Sequence, residues 1–121
     1  MARPRAFDEG VVIQQAAKLF AELGFNGTSI DELVSATGLM RGSLYRAFGS
    51  KRNLFQVALD SVVSDFKASP FELDLLTVAL KDLAAEDQQI AKTCEQIIQG
   101  RDSDFARVIG ENLIDKAKGK S

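Results

Sequence analysis

Apolar residues recur at three- and four-residue intervals along most of the chain, the spacing that lines one face of a helix. Val12, Ala16, Leu19, Phe20 and Leu23 define a first amphipathic helix over residues 8–23, closed by Gly24 and followed by the turn-forming triplet Phe25-Asn26-Gly27. Thr28 or Ser29 can cap a second, short helix. Ser29 with Glu32 three positions on has the form of a capping box, which turns Ile30, Leu33 and Val34 inward. This helix stops at Thr37-Gly38, where glycine permits the positive backbone angle of a sharp turn, and Leu39 plugs the corner. A third short helix covers residues 40–48. At about 100° per residue, Arg41, Gly42, Tyr45 and Arg46 share one arc of it and Leu44, Ala47 and Phe48 the opposite one, so one face is polar and basic and the other apolar.

After the Gly49-Ser50 break, Ser50 can cap a fourth helix, whose stripe of Leu54, Phe55, Ala58, Leu59, Val62, Val63 and Phe66 carries it to Ser69-Pro70. Residues 71–84 are apolar nearly all round, which predicts burial on more than one side. Residues 86–99 have a narrower stripe of Ile90, Cys94, Ile97 and Ile98. Residues 102–116 present Phe105, Val108, Ile109, Leu113 and Ile114. No alternating strand pattern and no internal repeat occurs. The pattern predicts an all-α protein with an N-terminal three-helix unit over residues 1–50. A connecting helix and a short helical C-terminal region follow over residues 51–121.

Composition narrows the functions open to such a chain. With 45% apolar and 26% charged residues over 121 positions, it is an ordinary globular sequence. No apolar run approaches the roughly 18 residues needed to cross a bilayer, and the start, Arg3 and Arg5 followed by Asp8 and Glu9, lacks the apolar region of a signal peptide. A cytoplasmic protein without membrane partners is expected. Cys94 is the only cysteine and histidine is absent, so an intrachain disulfide, the usual zinc ligand sets and histidine-based catalysis are excluded. With no nucleophile–base pair, phosphate loop or metal spacing, neither an enzyme nor a cofactor is expected. Cys94, on an apolar stripe, reads as a small buried hydrophobe.

The net charge of -2 is divided unevenly. Residues 1–67 carry eight Lys/Arg against seven Asp/Glu, whereas residues 68–121 carry seven against ten. Between positions 41 and 52 stand four basic residues, Arg41, Arg46, Lys51 and Arg52, and no acid. Such a patch suits a polyanion, although charge alone favours a solvated helix face over DNA binding.

Two short helices about a glycine turn, the second basic on its outer face, form a helix-turn-helix. The dimensions of its second helix suit the major groove of DNA. The particular residues go further. Gly27-Thr28-Ser29-Ile30, Leu33, Gly38-Leu39, Arg41-Gly42-Ser43-Leu44-Tyr45, Phe48, Ser50-Lys51 and Leu54-Phe55 together resemble the signature of the TetR family of regulators over roughly residues 8–66. The resemblance implies double-stranded operator DNA as partner, read by a homodimer on a palindromic site, and it allows control by a small-molecule effector.

By that resemblance Arg41, Gly42, Ser43 and Tyr45 face base edges, while Thr28, Ser29, Tyr45, Arg46 and Lys51 meet phosphates. Arg3 and Arg5 would form a minor-groove arm. Met40 stands where the family usually has a small capping hydroxyl, and is expected to pack on the corner or to touch a thymine methyl. Only about fifty residues follow Pro70, far fewer than the family's usual ligand-binding domain, and their excess of leucine and isoleucine calls for a dimer seam. The alternative is a helical interaction module that pairs with a longer relative and has little DNA affinity of its own.

Overall fold

The computed structural model describes residues 7–119, which form seven α-helices and no strand. They are α1 (Glu9–Leu23), α2 (Ile30–Thr37), α3 (Arg41–Phe48), α4 (Lys51–Asp60), α5 (Pro70–Val78, running on as a π-helical segment, Ala79–Leu83), α6 (Gln88–Ile98) and α7 (Phe105–Ala117). No helix among the described residues is long and apolar enough to cross a membrane. Arg3 and Arg5, the expected minor-groove arm, lie outside the described residues.

The first three helices have the expected bounds because local chemistry sets them. Asp8 caps α1, its carboxylate accepting the N–H groups of Gly10 at 2.9 Å and Val11 at 3.3 Å. The capping box of α2 is complete: Ser29 Oγ accepts from Glu32 N–H at 3.0 Å, and Glu32 Oε1 accepts from Ser29 N–H at 2.8 Å. Gly27 admits no side chain, since a Cβ there would stand 2.2 Å from the carbonyl oxygen of Leu23. Gly38 closes α2 at φ 75°, and Leu39 tucks partly into the core beside it.

The fourth helix is shorter than its apolar stripe predicts. It ends at Asp60, not near Ser69, and the chain proceeds through turns to Ala68, which adopts φ 58°. Two serines and the β-branched pair Val62-Val63 favour helix weakly, and the Ser61 hydroxyl donates to Ala58 O at 2.6 Å. Glu72 then holds the linker from the other side. Its Oε1 accepts the N–H groups of both Lys67 and Ser69 at 3.0 Å, and it forms a capping box with Ser69 at the start of α5. Val62, Val63 and Phe66 still reach the core, but from turns.

Helix α1 is the central element, packed against α2, α4 and α5. One continuous core joins Phe20, Leu33, Leu44 and Leu54 at the N-terminal end to Leu75, Leu76, Ile90 and Ile97 at the other. Phe20, Phe25 and Phe55 form an aromatic trio, with ring centroids 5.1–5.9 Å apart. Leu73, Leu75, Leu76, Val78 and Ala79 are buried, as a helix packed on several sides requires, but Leu80 is exposed, so the burial is not all round. Cys94 is buried too, and desolvation pushes its thiol up to about 11, which makes it inert packing. In α7 only Phe105 is buried, and Leu113 and Ile114 are exposed at 47% and 54%.

Candidate nucleic-acid interface

Helix α3 is fastened to the core through Leu44, with Phe48 half-buried beside it. That anchorage turns Arg41, Gly42, Tyr45 and Arg46 outward, all four exposed, with Ser43 at the margin. The Tyr45 side chain is exposed at 42% and projects from a helix whose other face is fixed. Gly42 leaves the backbone bare, and a Cβ built there would meet only Arg46 Nη1, at 3.8 Å. Helix packing within the protein therefore does not require glycine at this position.

Four basic residues between positions 41 and 52 do not form one patch. Arg46 makes no ion pair with any described residue. Arg41 donates from Nη2 to Asp31 Oδ1, an acid on the first turn of α2. Lys51 is turned inward: its ammonium donates to Phe25 O and Thr28 O, both at 2.9 Å, and sits 4.3 Å from the centroid of the Phe25 ring. Lys51 thereby serves the α1–α2 turn, where two carbonyl oxygens offset a cation at a helix N-terminus, in place of the outward position expected for a phosphate contact. Arg52 leaves the face altogether and forks onto Asp87, the N-cap of α6, at 2.6 and 2.7 Å. The Arg52 guanidinium holds the Asp87 carboxyl down at about 2.

Thr28 also departs from expectation. It is 1% exposed and its hydroxyl donates to Gly24 O at 2.6 Å, so the side chain has no surface from which to touch a phosphate. Ser29 beside it is exposed, with its hydroxyl engaged in the capping box. Met40 is 77% exposed and gives α3 no side-chain cap, so it does not pack on the corner. Thr37 does not cap α3 either. Its hydroxyl donates to Leu33 O at 2.7 Å and accepts from Leu39 N–H at 3.3 Å.

The α1–α2 turn is gripped from the C-terminal half as well. Phe25 N–H donates to Asp82 Oδ2 at 3.0 Å, from the π-helical segment. Asp31 and Asp82 escape a reading of the sequence, because each acts across a turn or between distant helices, where periodicity carries no signal. A cleft of about 140 Å³ lies between the end of α1, α5 with its π-helical segment, and α7, with Asp74, Thr77 and Lys116 in its wall. A groove of about 340 Å³ runs between α1 and the linker after α4, past Gln14, Val62 and Phe71.

The family model described as bacterial regulatory proteins, tetR family, matches residues 12–58. This segment contains α2 and α3 whole, most of α1 and the greater part of α4. Among curated proteins, the chain is similar to the uncharacterized HTH-type transcriptional regulator YezE of Bacillus subtilis, 34% identical over 104 residues, covering 78% of this chain and 54% of that protein. It is also similar to two HTH-type transcriptional repressors of Escherichia coli. ComR is 39% identical over 66 residues, covering 54% of this chain and 31% of ComR. BdcR is 31% identical over 97 residues, covering 80% of this chain and 44% of BdcR. The chain thus spans about half the length of these relatives, or less. No solved structure matches it.

Proposed function

Residues 12–58 place the chain in the TetR family of bacterial regulatory proteins, and on that premise we propose that it regulates transcription by docking α3 in the major groove of operator DNA. The observation that carries this reading is the exposed face of α3. It presents Arg41, Gly42, Tyr45 and Arg46 on a helix whose opposite side is locked by Leu44. Arg41, Gly42, Ser43 and Tyr45 face the base edges. The Tyr45 hydroxyl, Arg46 and Ser29 meet the phosphates that flank them. Met40, exposed at the mouth of α3, is free to touch a thymine methyl. The relatives named as repressors support a repressor, and a cytoplasmic location goes with DNA as its partner.

A two-fold dimer would match an inverted-repeat operator with half-sites about one helical turn apart. Exposed Leu113 and Ile114 on α7 supply apolar surface for its seam. The test is selection from a random-sequence DNA pool at low salt. A palindrome should be enriched, and Arg41→Ala and Tyr45→Ala should each bind it about tenfold or more weakly while remaining folded. Failure of the wild-type chain to enrich any sequence would sink the reading. The same apolar face of α7 supports one other use, pairing with a longer relative. Formation of mixed dimers that no longer retain DNA would favour that use.

A further inference from the structure

Asp31 is an acid on a face proposed to meet a polyanion. It lies on the first turn of α2, 84% exposed, with its Oδ1 accepting from Nη2 of Arg41. Arg41, itself 55% exposed, has no other partner among the described residues. A guanidinium carries five N–H donors in a rigid plane. One of them engages Asp31, so the others remain to form a paired contact with the O6 and N7 acceptors of a guanine. Both ends of the pair rest on short helices fixed by independent chemistry, α2 by its capping box and Gly38, α3 by Leu44. The two side chains are therefore kept within reach of each other.

We propose that Asp31 is a positioning residue that sets the sequence selectivity of the reading face, by holding Arg41 for base edges and withholding it from phosphates. This rests on the DNA-binding reading above. Two physical effects act in the same direction. A tethered guanidinium loses less rotamer freedom when it meets a guanine, which strengthens the correct contact. On any other sequence, Asp31 neutralises Arg41 and repels the phosphates, which weakens binding that has no base contact to offset it. An Asp31 that served only the dipole of α2 would alter stability and leave discrimination untouched.

The experiment takes the operator selected by the wild-type chain and a scrambled duplex of equal length. Affinity for both is measured over a range of salt for the wild type, Asp31→Asn, Arg41→Ala and the double variant. Asp31→Asn should bind the scrambled duplex more tightly, and its preference for the operator should fall about tenfold, the lower range of one paired base contact. Its salt dependence on scrambled DNA should steepen by about one phosphate contact as the freed arginine turns to the backbone. With Arg41 already removed, Asp31→Asn should raise affinity for both duplexes alike and leave the remaining preference unchanged. An operator preference that survives Asp31→Asn, or that falls equally with and without Arg41, overturns the proposal. If the wild-type chain selects no sequence, the DNA-binding reading fails and the proposal with it. If it selects one and Asp31→Asn keeps the full preference, only the proposal fails. Circular dichroism and the urea midpoint of each variant separate these effects from loss of fold.

Discussion

Gly42 and Gly27 are both glycines of the N-terminal helices, yet they stand under opposite constraints. Gly27 has a backbone oxygen where a side chain would go, whereas Gly42 faces open space apart from the far end of Arg46. Alanine at position 42 should therefore favour the helix by up to about 1 kcal/mol, seen as a higher urea midpoint. The same variant should lose operator affinity, because its new methyl group stands between backbone and bases. A Gly42→Ala protein that is more stable and binds as before would show that DNA does not approach this backbone. Asp87 provides a second case at this scale. Its carboxyl is held at about 2 chiefly by the hydrogen bonds from Arg52, well below an unfolded aspartate near 4. A depressed folded value means stability that is present in full above about pH 4 and is lost as pH falls through about 2. Asn at position 87 keeps the cap on Ile90 N–H but drops the charge. Asp87→Asn should thus be less stable than wild type at neutral pH, and the two unfolding curves should converge as pH approaches 2.

Among the elements, α3 shares with α7 the lack of a side-chain cap: it starts at a bare Met40, while α1, α2, α4, α5 and α6 each have one. Met40→Ser should add a cap and stabilise the protein by about 1 kcal/mol, measurable by urea denaturation. A change in operator preference in the same variant would locate Met40 at the bases. The bounds of α1, α2 and α3 and the outward arc of α3 are legible in the sequence because they follow from period and from capping residues within four positions of each other. The end of α4 is not. Its apolar stripe continues through Val62, Val63 and Phe66, and a stripe records which residues are buried, not whether a helix or a series of turns delivers them. The fates of Lys51 and Arg52 are illegible for a different reason. Their partners stand 23 to 35 residues away, and one basic residue in a row looks like the next until the fold supplies carbonyls to the first and a carboxylate to the second.

Over the whole molecule the N-terminal three-helix unit is not a separable bead. Its helix α1 also forms the wall against which α5 packs, and single contacts from the far half reach back to it: Asp82 to Phe25 N–H, and Lys116 Nζ to Ala21 O at 3.3 Å. A core this continuous should unfold in one step, so urea transitions followed on helix content and on the environment of α3 should coincide. Two separated transitions would mean that the N-terminal helices hold together without the rest. If α7 forms the dimer seam, Leu113→Asp with Ile114→Asp should yield monomers by sedimentation and lose palindrome binding while the helix content stays. Tyr45 offers a way to watch both events. It is the only tyrosine in a chain without tryptophan. Light absorbed beyond the range of phenylalanine is therefore re-emitted from a single ring at the centre of the proposed DNA face. The unlabelled protein carries its own fluorescent reporter, dimmed when a base or sugar covers that ring and silent in Tyr45→Phe, so that docking can be timed with no dye attached.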